Sequence, residues 1–377
     1  MNELFKPFIH EALTKQGISE LMPVQTRVMP YFDSQLDMIV TAPTGSGKTL
    51  AYLLPILNKL NEDTLDLQTV ILASSHELVM QIVDLIQQLK EGSTLRAQAL
   101  IGGANVKRQI EKLKKKPHIV VGTPGRMAEL INQKKLKMHK VTTIVLDEVD
   151  QLITPDHLPA IDRVILSTDQ SRHIACFSAT VSNDARNVLA EWMNAPEFIQ
   201  IKREELTLPD VTHGYILCEK REKFDQLRKL IHADKQKSLV FFNDIDALEK
   251  TYERLTYHHL ESLMLHSDLN KDLRKNSIKS FKQGDSQVML TTDVSSRGLD
   301  VDDLRTVIQM DIPREVNQYV HRAGRTGRLG SSDGQVISIV TKAEYQALKK
   351  ITNHLKVQLT QFELSRGQLI KQGFHKG

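Results

Sequence analysis

The sequence contains little cysteine. Cys176 and Cys218 are the two cysteines among 377 residues, and they stand far apart in the chain. A disulfide framework and a zinc site are not expected, because both need more cysteines at closer spacing. Two packed free thiols are expected instead.

Long apolar runs are also missing. No segment approaches the roughly 18 consecutive apolar residues of a membrane-spanning helix. The opening residues, MNELFKPFIH, lack the basic lead and the apolar segment of a signal peptide. We therefore expect a cytoplasmic protein with no membrane partner.

Neither sign of charge is in large excess. The chain has 50 Lys and Arg against 46 Asp and Glu, which gives a net charge of +4. This charge allows a nucleic-acid partner without requiring one.

The composition is that of a folded protein of about two domains. Hydrophobic residues make up 40% of the chain and charged residues 25%, as in globular proteins and unlike disordered or collagen-like chains. Short β-rich runs alternate with longer helical stretches. This alternation is typical of parallel sheets covered by helices, so we predict an α/β protein.

The predicted strands form two sets, separated by a polar segment that contains Pro209. We therefore predict a first domain over 1–201, a linker over 202–210, a second domain over 211–363 and a basic tail over 364–377 that is expected to fray. The predicted strands lie at 38–41, 69–73, 119–122, 143–146 and 173–177, and then at 238–242, 262–265, 287–291, 306–310 and 335–340.

The strongest local motif is APTGSGKT, which runs from Ala42 to Thr49 between a predicted strand and a predicted helix. Its glycines let backbone N–H groups converge on phosphates, and the helix N-terminus adds partial positive charge. Lys48 would contact the β- and γ-phosphates, and Thr49 could hold Mg²⁺. The predicted phosphate-binding residues are Thr44, Gly45, Ser46, Gly47, Lys48 and Thr49.

Two adjacent carboxylates, Asp147 and Glu148, end the apolar strand TIVL. At the carboxyl end of a strand beside a phosphate loop, one carboxylate can hold Mg²⁺ and a second can orient and deprotonate an attacking water. The pair therefore predicts a nucleotide triphosphatase rather than a simple nucleotide binder.

Three arginines, Arg322, Arg325 and Arg328, stand three residues apart in YVHRAGRTGR. Gly324 and Gly327 are poor residues for an ordinary helix surface, so a phosphate-facing segment is favoured over a solvated basic helix. Because this segment belongs to the second predicted domain, we expect it to reach a nucleotide held by the first, across an interdomain cleft.

Further motifs accompany these three in order, from about Gly17 to Arg328: GISELMPVQ, IGG, TPGR, DEVD, SAT and TDVSSRGLD. The complete set resembles that of the DEAD-box ATP-dependent RNA helicases of superfamily 2, particularly short bacterial members with little beyond the two-domain core. The resemblance implies two tandem RecA-like domains, each a mostly parallel sheet flanked by helices. It also implies ATP and Mg²⁺ as cofactors and RNA, as single strands and short duplexes, as the partner.

The resemblance also implies roles for individual residues in ATP hydrolysis. Gln25 is implied to read the adenine, and Lys48 to hold phosphate. Thr49 and Asp147 are implied to serve the metal, and Glu148 to activate water. The second domain is implied to contribute Asp300 to the ribose and Arg325 and Arg328 to the γ-phosphate.

Coupling and RNA binding are implied in the same way. Ser178, Thr180 and His321 are implied to couple hydrolysis to domain movement. The residues implied to grip the RNA backbone are Gly102, Gly103, Thr123, Gly125, Arg126, Arg274 and Thr292. Contacts to the backbone carry little sequence preference, and the 2′-hydroxyl distinguishes RNA from DNA.

Several positions differ from the usual pattern of the family. Where PTREL is usual, residues 74–78 read SSHEL, so His76, mostly neutral at pH 7, replaces a permanently charged Arg. We expect one RNA contact or one internal tether to be weaker. Ile18 and Met22 replace an aromatic residue and a Thr or Ser near the adenine, so weaker adenine selectivity is expected. Val149 replaces Ala, which should be tolerated.

We predict an RNA-dependent ATPase and non-processive helicase that acts locally as a monomer, with ribosomal RNA or ribosome-assembly intermediates as one candidate substrate. Two alternatives stay open at this level: an RNA chaperone or clamp with negligible turnover, and a DNA helicase. Stimulation of ATPase activity by single-stranded RNA, compared with DNA, separates the three.

Overall fold

The computed structural model describes residues 4–206, 208–296, 301, 304–327 and 333–372. Its chain divides into two structural units after Leu206. Leu206 lies inside the segment predicted as the linker, and we propose this point as the domain boundary.

The first unit is built on a sheet of seven strands in the order β3-β4-β2-β5-β6-β1-β7. Every neighbouring pair is parallel. The central strands are apolar and fully buried, as expected when helices cover a parallel sheet. The strands are β1 Met38–Thr41, β2 Thr69–Leu72, β3 Ala97–Leu100, β4 Ile119–Gly122, β5 Thr143–Asp147, β6 His173–Ser178 and β7 Glu197–Gln200.

The helices of the first unit bury one apolar face each against this sheet or against another helix. In α4, for example, the buried side chains Val79, Ile82, Val83 and Ile86 recur at helical spacing. The helices are α1 Pro7–Lys15, α2 Pro23–Ser34, α3 Lys48–Lys59, α4 His76–Leu89, α5 Val106–Leu113, α6 Pro124–Asn132, α7 Val149–Leu152, α8 Leu158–Ile165 and α9 Asn183–Trp192, followed by a 3₁₀ helix at Arg203–Glu205.

The second unit has a sheet of eight strands in the order β10-β11-β9-β12-β13-β8-β14-β15. Neighbouring strands are parallel except for the β14–β15 hairpin. The strands are β8 Val211–Leu217, β9 Ser238–Phe242, β10 Leu263–Leu265, β11 Val288–Thr292, β12 Thr306–Gln309, β13 Gly334–Val340, β14 Leu359–Ser365 and β15 Gln368–Lys371. The helices are α10 Lys223–Ala233, α11 Ile245–Tyr257, α12 Lys271–Gln283, α13 Asp293–Ser296, α14 Val316–Ala323 and α15 Lys342–His354, with a 3₁₀ helix at Lys220–Glu222.

The predicted fold class, two mostly parallel sheets flanked by helices, is confirmed. The ten predicted strands are present, but β3, β7, β8, β14 and β15 were not predicted. AQAL contains no β-branched or aromatic residue and QLIK contains one, so neither stands out in sequence, and both become strands by pairing with a neighbour.

The prediction of a frayed basic tail over 364–377 is wrong for the part that the structure describes. Residues 368–371 form β15, which pairs with β14 in an antiparallel hairpin. The turn contains Arg366 and Gly367, both with positive φ. Pairing with β14 supplies the backbone hydrogen bonds that a short polar segment cannot obtain from its own sequence pattern.

Two other sequence expectations concern thiols and membranes. Cys176 is buried and Cys218 is half-buried, and both are free. Within the described ranges, no helix is both long and apolar enough to cross a membrane.

Candidate functional site

The motifs of the first unit meet at the carboxyl edge of its sheet. The phosphate loop follows β1, the DEVD segment starts at the end of β5, and SAT starts at the end of β6. The IGG and TPGR segments follow β3 and β4. Because all seven strands run in the same direction, segments that are distant in sequence come together at this edge, where open α/β sheets bind ligands.

The phosphate loop has the backbone shape that its glycines predict. Gly45 and Gly47 have φ of 79° and 84°, in the left-handed region that favours glycine. A Cβ on Gly47 would lie 2.6 Å from Nε2 of Gln25, and this Nε2 donates to the Gly47 carbonyl at 3.4 Å. Gln25 is buried, so it joins the start of α2 to the phosphate loop.

Two further side chains of this loop fit a phosphate. Lys48 Nζ donates to the carbonyls of Ala42 at 2.8 Å and Pro43 at 3.0 Å, so the ammonium group lies over the loop. Ser46 is fully buried, and its Oγ has no hydrogen-bond partner among the described residues. A buried hydroxyl without a partner is rare in a protein interior, and a phosphate oxygen would supply the missing acceptor.

The Asp147 carboxylate lies behind the loop and is 4% exposed. The Tyr52 hydroxyl donates to its Oδ2 at 2.9 Å, and the Glu148 N–H donates to its Oδ1 at 3.0 Å. Burial, together with the Glu148 charge, raises the pKa of Asp147 to about 6, although the Tyr52 hydrogen bond and the Lys48 charge oppose the rise. A nearby cation would therefore favour the charged form of this carboxylate.

The donor set fits Mg²⁺ shared with a phosphate. No group of three or more His, Cys, Asp and Glu that could hold a metal occurs in the part of the chain that the structure describes. Mg²⁺ usually takes one or two carboxylates and completes its shell with phosphate and water oxygens. Thr49 lies in the first turn of α3, and Tyr52, whose hydroxyl contacts Asp147, follows it by three residues in the same helix.

Replacing Asp147 by Asn is expected to stabilise the magnesium-free protein at neutral pH and not near pH 4. The folded-state pKa of about 6 lies above the ordinary 3.8. Between these values the folded protein binds more protons than the unfolded chain, so stability falls as pH rises through this window. Two pKa units correspond to about 3 kcal/mol at neutral pH.

Thermal unfolding in EDTA measures this effect as the difference in Tm between the variant and the wild type. The difference should grow from about pH 4 to about pH 6.5 and then stay constant. Asn also lacks one of the two acceptor oxygens of Asp, and this loss shifts Tm equally at every pH. Only the change of the Tm difference with pH therefore tests the raised pKa. A difference that is flat over the whole range would contradict the raised pKa.

Glu148 and Ser178 lie beside Asp147. Glu148 has φ of 54°, and its Oε2 accepts a hydrogen bond from the Ser74 hydroxyl at 3.0 Å. Ser178 is buried and donates to Asp150 Oδ1 at 2.5 Å, while its carbonyl accepts from the Ala42 N–H at 3.1 Å. SAT is thereby tied to DEVD and to the phosphate loop. Thr180 is half-buried two residues beyond β6.

The predicted RNA-contacting residues of the first unit lie on adjacent loops. Gln109 exchanges hydrogen bonds with the backbone of Ile101 at 3.2 and 3.0 Å, which holds the loop containing Gly102 and Gly103 in place. A Cβ on Gly102 would lie 3.4 Å from Nε2 of His76, so the exposed His76 is a neighbour of this loop.

The TPGR segment packs against the same loop. Thr123 immediately precedes α6, and a Cβ on Gly125 would meet no atom within 4 Å, which leaves its backbone accessible to a ligand. Arg126 is only 8% exposed. Its guanidinium donates to Glu129 at 2.8 Å and to the Ala104 carbonyl at 3.2 Å, so in this structure it braces the loop.

In the second unit, Arg322 and Arg325 have different surroundings. Arg322 is 1% exposed and makes two 2.7 Å hydrogen bonds to the Asp293 carboxylate. It also donates to the Asp311 carbonyl and to Asn243 Oδ1, each at 2.7 Å. The guanidinium of Arg322 is therefore occupied by partners inside its own unit, so within the segment predicted to face phosphate this arginine has a structural role.

Arg325 is 7% exposed, and its Nε donates to the His321 carbonyl at 3.1 Å. Arg274 donates to the His266 carbonyl and the Ser295 hydroxyl at 3.2 and 3.3 Å. Thr292 is buried at the carboxyl end of β11. Asp300 and Arg328 lie outside the described residues.

Sequence reasoning missed three side chains of these clusters: Tyr52, Ser74 and Asp293. Tyr52 stands one helical turn after Lys48, so helix periodicity places it near the loop. Ser74 belongs to the SSHEL segment, in which His76 is the residue that the sequence pattern singles out. Asp293 lies directly after β11, at a strand end where polar side chains meet.

Known proteins resemble the chain over almost its whole length. A family model described as DEAD/DEAH box helicase matches residues 22–188, and one described as helicase conserved C-terminal domain matches residues 222–330. The chain is 46% identical over 362 residues to the probable ATP-dependent RNA helicase YfmL of Bacillus subtilis (strain 168), covering 96% of each chain. It is 40% identical to the DEAD-box ATP-dependent RNA helicase CshC of Bacillus cereus, covering 97% of this chain and 94% of the relative.

Among solved structures, S. cerevisiae Dbp5 bound to RNA and ADP BeF3 is similar with a TM-score of 0.87 and 25% identity, over 96% of this chain and 94% of that chain. Two RecA-like units, the first with a phosphate loop beside paired carboxylates, define a nucleoside-triphosphatase of the helicase type. The chain belongs to the DEAD-box ATP-dependent RNA helicases.

Proposed function

We propose that the protein is an RNA-dependent ATPase and non-processive RNA helicase. It locally unwinds short RNA duplexes, or remodels RNA–protein complexes, when ATP drives closure of its two domains. The observation that carries the proposal is the cluster of Lys48, Asp147 and Glu148 at the carboxyl edge of the first sheet. The names of the Bacillus relatives and the RNA bound to Dbp5 support RNA as the partner.

In this proposal the first unit binds ATP and performs the chemistry. Gln25 contacts the adenine, and the loop residues Thr44, Gly45, Ser46 and Gly47 surround the phosphates with N–H and hydroxyl donors. Lys48 neutralises phosphate charge, and Thr49 with Asp147 holds Mg²⁺. Mg²⁺, when bound, withdraws charge from the phosphate oxygens. Glu148 accepts a proton from the attacking water. At the same time the water oxygen bonds to the γ-phosphorus, and ADP leaves.

The second unit contributes in the ATP- and RNA-bound state. Asp300 contacts the ribose, and Arg325 with Arg328 contacts the γ-phosphate. Ser178, Thr180 and His321 couple hydrolysis to domain movement. The RNA backbone is held by Gly102, Gly103, Thr123, Gly125, Arg126, Arg274 and Thr292. For Arg126, RNA binding would use N–H groups beyond those that already hold the protein loop.

ATPase assays with single-stranded RNA and with DNA of the same sequence test the proposal. Strong stimulation by RNA and weak stimulation by DNA is expected, because the contacts are to a sugar-phosphate backbone that carries 2′-hydroxyls. Duplex separation without measurable ATP turnover would instead indicate an RNA chaperone or clamp. Equal stimulation by DNA would indicate a helicase without RNA preference.

Replacing Arg325 by Lys is expected to lower kcat by at least about 100-fold, since arginines that contact a γ-phosphate contribute about 10³ to 10⁵ and an ammonium cannot reproduce the planar fork. ATP affinity without RNA should stay within about twofold. Steady-state ATPase assays and nucleotide titrations measure the two quantities. The matched control is Arg221→Lys, an exposed arginine of the same unit; turnover by Arg325→Lys at the control's rate would remove Arg325 from the mechanism.

The proposal extends to location, assembly and substrate. Because the proposed partner is cellular RNA, we place the protein in the cytoplasm, acting as a monomer. Ribosomal RNA and ribosome-assembly intermediates are the proposed substrate class. Crosslinking to RNA in cells, followed by sequencing, tests this part: recovery of mainly messenger RNA would exclude it.

A further inference from the structure

Ser74 lies at the carboxyl edge of the first sheet, between β2 and α4. Its two neighbours are both held: the Ala73 N–H donates to the Gly122 carbonyl at 3.1 Å, and the Ser75 hydroxyl accepts from the Leu78 N–H at 3.2 Å as the cap of α4. A residue between a sheet hydrogen bond and a helix cap has little backbone freedom. The Ser74 side chain therefore projects from a fixed point.

The Ser74 hydroxyl donates to Oε2 of Glu148 at 3.0 Å. The sheet register produces this contact. Leu72 of β2 pairs with Leu146 of the neighbouring parallel strand β5, so Ser74 and Glu148 each lie two residues beyond a paired position.

The Glu148 backbone is also held by hydrogen bonds. The Glu148 N–H donates to Asp147 Oδ1 at 3.0 Å, and the Glu148 carbonyl accepts from the Gln151 N–H at 2.8 Å. Three side-chain torsions then separate this backbone from the carboxylate. Among the residues that the structure describes, Ser74 provides the one hydrogen bond to that carboxylate.

We propose that Ser74 is a positioning residue for Glu148, a role that rests on the proposed function of Glu148 as the base. The hydroxyl restrains one carboxylate oxygen and leaves the other to accept the proton of the attacking water. A base held in place needs no reorganisation at the moment of reaction. Proline, the family's usual residue here in the PTREL pattern, has no hydroxyl, so this contact is a feature of the SSHEL segment of this chain.

The test measures RNA-stimulated ATP hydrolysis by the full chain carrying Ser74→Ala, Ser74→Thr or Ser74→Pro. Ser74→Ala should lower kcat about 10-fold, as expected for the loss of a hydrogen bond to a charged group, with KM for ATP and RNA affinity within about twofold. Ser74→Thr keeps the hydroxyl and should restore most of kcat. Ser74→Pro should have the same kcat as Ser74→Ala. Equal values would show that the loss comes from the missing hydroxyl and not from a change in the loop backbone.

The matched control is Ser93→Ala, which removes another half-buried hydroxyl of the first unit, bonded to the Lys90 carbonyl at 2.7 Å; its kcat should equal the wild type. In the Glu148→Gln background, Ser74→Ala should cause no further loss beyond about twofold, because the amide cannot act as a base and its position no longer affects the rate. A Ser74→Ala variant with wild-type or higher kcat would overturn the inference.

A fall in kcat that Thr does not restore, or a full 10-fold loss in the Glu148→Gln background, would also overturn it. These outcomes leave the role of Glu148 intact. Only wild-type turnover by Glu148→Gln itself would remove the base from the proposed function.

Discussion

Replacing Glu148 by Gln is expected to lower kcat for ATP hydrolysis by about 10² to 10⁴, the range contributed by a general base, while ATP and RNA binding are kept. Gln preserves the size of the side chain and can still accept the hydrogen bond from Ser74, but it cannot take a proton from water. The neighbouring Asp147, with its contacts to Tyr52, is left in place. A complex with ATP and RNA should therefore accumulate.

Single-turnover hydrolysis and nucleotide titrations separate chemistry from binding in this variant. Glu111→Gln is a suitable control, because Glu111 is an exposed carboxylate of the same unit that pairs with Lys114 on the surface. If Glu148→Gln lost ATP binding and kept the chemical rate, the roles of Asp147 and Glu148 would have to be exchanged.

Replacing Arg322 by Ala is expected to destabilise the second unit by about 3 to 5 kcal/mol, the usual cost of removing one partner from a buried ion pair. The guanidinium joins the ends of three strands through Asn243, Asp311 and Asp293. Without it, the Asp293 carboxylate, only 20% exposed, loses both of its 2.7 Å hydrogen bonds from Arg322. The neighbouring strand ends lose their common partner.

Hydrogen exchange on the full-length protein resolves this effect by unit. Peptides from β9, β11 and α14 should lose protection in Arg322→Ala, whereas peptides from β1 and β5 should match the wild type. Adding Asp293→Asn should recover part of the lost stability, since it removes the unpaired charge. The control Arg221→Ala, at an exposed position, should leave hydrogen-exchange protection unchanged. Unchanged protection in Arg322→Ala would show that Arg322 does not stabilise the second unit.

The fold class could be predicted because its determinants are local. A buried parallel strand needs a short apolar run, and TIVL or SLVFF shows this without any neighbour. The phosphate loop is equally local, since glycines with positive φ, a lysine and a helix start lie within a few residues. β15 could not be predicted, because QLIK is a strand only through its pairing with β14.

The sequence by itself determined the order of the motifs, hence the family, the two α/β units and the residue types available for ATP chemistry. Only the tertiary structure decided how residues of the same type differ. Arg322 and Arg325 have identical side chains, three positions apart, but acceptors from three strand ends surround the buried guanidinium of Arg322. The Ser74–Glu148 contact and the raised pKa of Asp147 arise likewise from strand register and burial, and both depend on residues that are adjacent in space and distant in the chain.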